Sequence, residues 1–132
     1  MRHVIVVEDD EHNAILFRKL LEKRAGCRVT TTEDPAEVLG LIRSEPIALV
    51  VLDVSLRRST WQGRPVGGIE ICRLIRETAN GHVPVLLATA HAMRGDEEAL
   101  LAESGADGYL AKPIVDHELF TSLALQLMER AA

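Results

Sequence analysis

Five short runs of β-branched and aliphatic residues recur along the chain, at His3 to Val7, Arg28 to Thr32, Ile47 to Leu52, Val83 to Ala88 and Gly108 to Leu110. Segments of helical period separate them. Such alternation reads as an α/β domain, in which each run is a strand and each intervening segment is the crossover that returns to begin the next. The third and fourth runs are apolar at nearly every position instead of every second one, as central parallel strands covered on both faces require. With right-handed crossovers the pattern leads to a doubly wound, open parallel sheet of five strands with five helices.

The helices have recognisable ends. Leu16, Phe17, Leu20 and Leu21 form an apolar stripe while Arg18, Lys19, Glu22 and Lys23 face away, and Gly26 supplies a stop. Asp34 caps a second helix opened by Pro35, with Val38, Leu41 and Ile42 inward and Pro46 closing the segment. Ile71, Leu74 and Ile75 mark a third, Gly95 to Ser104 a fourth, and Leu119, Phe120, Leu123 and Leu127 after Asp116 a fifth. These units account for the 132 residues with no repeat and no low-complexity tract, so residues 1–132 read as a single domain.

Composition narrows the function. A formal net charge of −5 argues against broad electrostatic binding to nucleic acid or an anionic membrane, and 3% aromatic residues are too few for a base-stacking platform. No apolar stretch is long enough to cross a bilayer and no cleavage signature follows Met1-Arg2, so the expected location is the cytoplasm. Cys27 and Cys72 lack metal-ligand or redox spacing and read as buried thiols.

In a doubly wound sheet the ligand site lies outside the carboxyl ends of the strands. The first strand runs into Glu8-Asp9-Asp10, the third into Asp53, the fourth into Thr89 and the fifth into Lys112-Pro113. Carboxylates gathered at one rim repel, and a hard divalent cation with oxygen ligands, most economically Mg²⁺, relieves the repulsion. The Lys112 ammonium and the Thr89 hydroxyl suit the peripheral oxygens of a transferred phosphoryl group, and a carboxylate can itself be the nucleophile. Asp10 and Glu11 read instead as helix-capping acids.

Taken together, Val6-Val7-Glu8-Asp9-Asp10, Val50-Val51-Leu52-Asp53-Val54, Leu87-Ala88-Thr89-Ala90-His91, Tyr109 and Lys112-Pro113 resemble the receiver domain of two-component response regulators over nearly the whole chain. The resemblance implies a flavodoxin-like sheet with strand order 2-1-3-4-5. It implies that Asp53 is the phosphoacceptor, that Thr89 and Lys112 bind the phosphoryl oxygens, and that Thr89 and Tyr109 form the switch. Mg²⁺ would be held by Glu8 (through water), Asp9, Asp53 and the backbone carbonyl of Ser55. The phosphodonor would be a histidine kinase or histidine phosphotransfer protein, and the signal would pass to a downstream protein on the face of the fourth helix, fifth strand and fifth helix. Direct binding to nucleic acid or membrane is not implied. The Lys112-Pro113 bond matches a position where the family's peptide is cis, and His91 one that governs access to the acyl phosphate. Such a domain is a phosphoacceptor that assists its own phosphorylation and dephosphorylation rather than an enzyme. The other readings are a phosphorylation-independent scaffold and an aspartyl-phosphate hydrolase; Ser55 stands where the hydrolase would need its second acid.

One segment departs from the family pattern. Ser55 to Gly67 is longer than the usual turn, carries three arginines and no acid, and has Arg57 where most members have proline. A long ordered loop beside an active site is more often functional than filler. The expectation is that it forms part of the phosphodonor's docking surface or covers the acyl phosphate, with Trp61 as an anchor.

Overall fold

The computed structural model describes residues 1–78, 80–90 and 96–131. His91, singled out in the sequence, lies outside the described residues, as does the expected first residue of the fourth helix, Gly95. The elements run β1 (His3–Val7), α1 (Glu11–Ala25), β2 (Arg28–Thr32), α2 (Pro35–Ser44), β3 (Leu49–Asp53), β4 (Thr60–Trp61), β5 (Arg64–Pro65), α3 (Gly68–Arg76), β6 (Val85–Thr89), α4 (Asp96–Ser104), β7 (Gly108–Ala111) and α5 (His117–Ala131). Five strands make one sheet in the order β2-β1-β3-β6-β7, with parallel pairing throughout, and β4 and β5 form a separate antiparallel hairpin. Without the hairpin, this is the 2-1-3-4-5 order implied by the resemblance.

The all-apolar strands follow from covering the sheet on both sides. On β1, Val4 and Val6 join one core while Ile5 and Val7 join the other; Leu49 and Val51 against Val50 and Leu52, and Leu86 and Ala88 against Val85 and Leu87, divide in the same way. Helices α1 and α5 close the first core, where Phe17 and Phe120 meet with ring centroids 5.2 Å apart. Helices α2 and α3 close the second through Val38, Leu39, Ile42, Ile71 and Ile75.

Local signals set the ends. Asp10 caps α1 by accepting from Asn13 N–H, Asp34 caps α2 through Ala36 N–H, and Gly26 ends α1 in the left-handed region at φ 65°. The fourth run begins as a strand at Val85 rather than Val83, because Pro84 has no N–H for the ladder. Leu119, expected on the buried stripe of α5, is 54% exposed. The buried phase is Phe120, Ala124, Leu127 and Met128, and Leu119 lies one residue of helical rotation away from it.

The hairpin was not foreseen. Gln62 and Gly63 both have positive φ, 51° and 80°, which is the backbone of a tight two-residue hairpin turn. Trp61 and Val66 rest partly buried against the second core, so Trp61 fastens the insertion to its own sheet instead of projecting from it. The chain then returns to α3 through Gly67 and Gly68. A β-carbon on Gly68 would collide with the backbone of Asp53, which cannot turn aside as a side chain can.

Two glycine substitutions should therefore differ in sign. Gly68→Ala should lower stability by more than about 2 kcal/mol through backbone displacement at Asp53. Gly40→Ala, on α2 with nothing within 4 Å of the new carbon, should raise it by about 0.5–1 kcal/mol. Urea unfolding of both variants beside the native chain measures the difference.

Candidate functional site

Strand direction assembles the site. All five sheet strands are parallel, so the residues after β1, β3, β6 and β7 leave from the same edge, and β1 and β6 flank β3. Glu8 and Asp53 are buried there at 5% and 3% exposure. Ligand oxygens of Glu8, Asp9 and Asp53 all lie within 4.8 Å of one another. They open into a cleft of about 570 Å³ that is also lined by Ser55, Arg57, Ala90 and Lys112. A cleft of about 540 Å³ at the opposite edge, between Ile42, Pro46, Pro84 and Met128, has no such group of acids.

Lys112 is the internal counter-charge. Its Nζ lies 3.0 Å from Glu8 Oε2 and 3.2 Å from Asp53 Oδ1. The lysine arrives there through the turn after β7, where Lys112 N–H donates to Thr89 O at 2.9 Å and the Lys112-Pro113 peptide is cis. Backbone donors hold the acids as well: Ser55 N–H bonds Asp53 Oδ1 at 3.0 Å and Asp10 N–H bonds Glu8 Oε1 at 3.1 Å. Thr89 closes β6 with its side chain buried, opposite Ala111, and Tyr109 is half-buried on β7 opposite Leu87. Asp53, Glu8, Asp9, Thr89 and Lys112 thus sit at one edge as the sequence predicts, and Tyr109 lies two residues before the edge on β7.

One ammonium does not balance three carboxylates. Burial first, then the hydrogen-bonding neighbour Asp53, push Glu8 up to about 7, outweighing the pull of the Asp10 N–H and Lys112 in the other direction. Burial alone would lower the Lys112 pKa, but the two carboxylates raise it, so the lysine stays charged. Closely spaced, all-oxygen donors with excess negative charge have the chemistry of a Mg²⁺ site, so the residues present fit that ion.

The sequence reading missed the grip of the insertion on this edge. Arg57 N–H donates to Asp9 Oδ2 at 3.0 Å, and Arg58 donates to the Asp9 carbonyl at 3.0 Å and to Glu33 Oε1 at 3.1 Å. Ser59 Oγ donates to the Glu33 carbonyl at 2.6 Å. The available signal was the pair of arginines just past a strand-end acid, but nothing in sequence spacing names Asp9 and Glu33 as their partners.

A family model for the response regulator receiver domain matches residues 4–124. The chain belongs to this family. As a receiver domain of two-component signalling it is 34% identical over 114 residues to the polar-differentiation response regulator DivK of Brucella ovis, covering 86% of this chain and 85% of that one. The DrrB receiver domain in its BeF3-activated form has a TM-score of 0.77 at 29% identity, covering 98% of this chain and 99% of its own. Two more distant structures share the fold. The receiver domain of the Francisella response regulator 1452 has a TM-score of 0.81 at 23% identity, with 100% of both chains covered. That of the sensor histidine kinase PA1611 from Pseudomonas aeruginosa, solved with a magnesium ion coordinated in its active site cleft, has a TM-score of 0.79 at 24% identity over 97% of this chain and 98% of its own. Among the described residues, no helix is long and apolar enough to cross a membrane.

The Glu8 shift fixes a pH dependence for the chelator-treated protein. The folded state keeps the Glu8 proton to higher pH than the unfolded chain does, so between the ordinary carboxyl value of 4.5 and about 7 the folded state binds more protons and stability falls as pH rises. Glu8→Gln should flatten that fall and be more stable than the native chain at pH 8, on the order of 1–3 kcal/mol. Denaturant titrations at pH 5 and pH 8 test it.

Proposed function

We propose that this receiver takes a phosphoryl group on Asp53 from the phosphohistidine of a histidine kinase or histidine phosphotransfer protein, and signals by a change in its own surface. The observation that supports the reading best is the Lys112 ammonium, held between Glu8 and Asp53 at 3.0 and 3.2 Å at the mouth of the sheet. A carboxylate oxygen held beside a fixed cation and facing the cleft is an available nucleophile. An Asp53 oxygen attacks phosphorus in line, and the P–N bond breaks as the O–P bond forms. The imidazole departs with the electron pair.

Glu8 (through water), Asp9, Asp53 and the Ser55 backbone carbonyl would hold Mg²⁺, which when bound supplies charge neutralisation for the phosphoryl oxygens. Lys112 binds one such oxygen and Thr89 donates its hydroxyl to another. The new dianion draws Thr89 inward, and the vacated space admits Tyr109, which turns from its half-exposed position to a buried one. The face of α4, β7 and α5 changes shape, and a downstream protein reads it. The domain assists its own phosphorylation and its later hydrolysis without turning over an external substrate. Residues 1–132 act as one receiver unit, together with the phosphodonor in the cytoplasm.

Intact-mass spectrometry after incubation with a small-molecule phosphodonor tests the assignment. The native chain should gain one phosphoryl group with Mg²⁺ and none with chelator, and Asp53→Asn should gain none under either condition. An adduct that persists in Asp53→Asn, or none on the native chain, would overturn it.

A further inference from the structure

Asp9 is contacted at the rim of the cleft by Arg57, an arginine where most members of the family have proline. Its carboxylate is 4% exposed, whereas the Arg57 side chain is 79% exposed and its Nε lies 3.6 Å from Asp9 Oδ2. The same oxygen accepts the Arg57 backbone N–H at 3.0 Å. Residues next to Arg57 anchor the backbone: Arg58 binds the Asp9 carbonyl and Glu33, and Ser59 binds the Glu33 carbonyl. The backbone at residue 57 is thus tied down while its guanidinium reaches the mouth of the cleft through a solvent-exposed stem.

We propose that Arg57 is a built-in competitor of the divalent cation: a positioning residue whose guanidinium serves Asp9 as counter-ion when no metal is bound and must turn into solvent when Asp9 ligates one. The inference rests on the Mg²⁺ reading above and adds a determinant of affinity to it. A guanidinium and a dication on one carboxylate repel, and with Arg57 Nε 3.6 Å from Asp9 that repulsion acts at short range, while the exposed guanidinium leaves it open to screening by salt. The backbone N–H has no net charge and stays on Asp9 in both states. Arg57 therefore lowers cation affinity without disordering the ligand, and this receiver requires more free Mg²⁺ than one with an uncharged residue at that position.

Calorimetric titration with Mg²⁺ alone, on the native chain, Arg57→Ala and Arg57→Lys, tests the competition. Arg57→Ala should bind about three- to tenfold more tightly at low ionic strength. Arg57→Lys should stay near the native affinity, and the gap between native and alanine should narrow at high salt, because an exposed charge is screened. Thermal unfolding in chelator checks that all three fold alike. Equal or weaker binding by Arg57→Ala, a gap that salt leaves unchanged, or a lysine variant that behaves like alanine overturns the proposal while leaving the metal site standing. Absence of Mg²⁺ binding in all three overturns the metal reading itself, and the competition with it.

Discussion

Glu8 and Asp53 are carboxylates on neighbouring strand ends, buried within reach of one ammonium group, and the arrangement around them makes that burial tolerable. An ionised carboxylate taken out of water without a partner costs several kcal/mol. Here Lys112 bridges the two, and the Ser55 and Asp10 N–H groups take further lone pairs. No described side-chain polar atom is left buried without a partner. Burial first, and the hydrogen-bonding neighbour Asp53 second, hold a proton on Glu8 toward neutral pH. Either a divalent cation or a phosphoryl transfer changes the charge of this group, so the site that is costly to fold is also the one that can respond.

The two-sided core supplies the rigidity such a site needs. Alternate residues of each central strand feed opposite cores, so moving one strand end disturbs the packing of helices on both faces. Gly68 carries this to Asp53: its N–H bonds Val54 O at 2.9 Å, and its lack of a side chain lets α3 begin against the Asp53 backbone. Arg76 fastens the far end of α3 through the Gly81, Val83 and Gly105 carbonyls and Asp107.

Much of this was legible in the sequence because it depends on chain direction. Parallel strands put Glu8, Asp9, Asp53, Thr89 and Lys112 at one edge whatever their side chains do, and the caps at Asp10, Asp34 and Gly26 are local. What depends on pairing across long separations was not legible. That Lys112 divides itself between Glu8 and Asp53, that Arg57 and Arg58 reach Asp9 and Glu33, and that Trp61 packs inward all need coordinates. The hairpin was hidden because its strands are two residues each, too short to show period. Leu119 misled because apolar spacing alone does not fix the rotational phase of a helix.

The proposed phosphotransfer depends on Asp53 as the residue that carries phosphate. Borohydride reduction of the protein after reaction with a phosphodonor, followed by peptide mapping, converts an aspartyl phosphate to homoserine at its own position. Homoserine is expected at position 53 and at no other aspartate. Homoserine at Asp9 or Asp10, or a phosphoryl group recovered on histidine with none at 53, would contradict it.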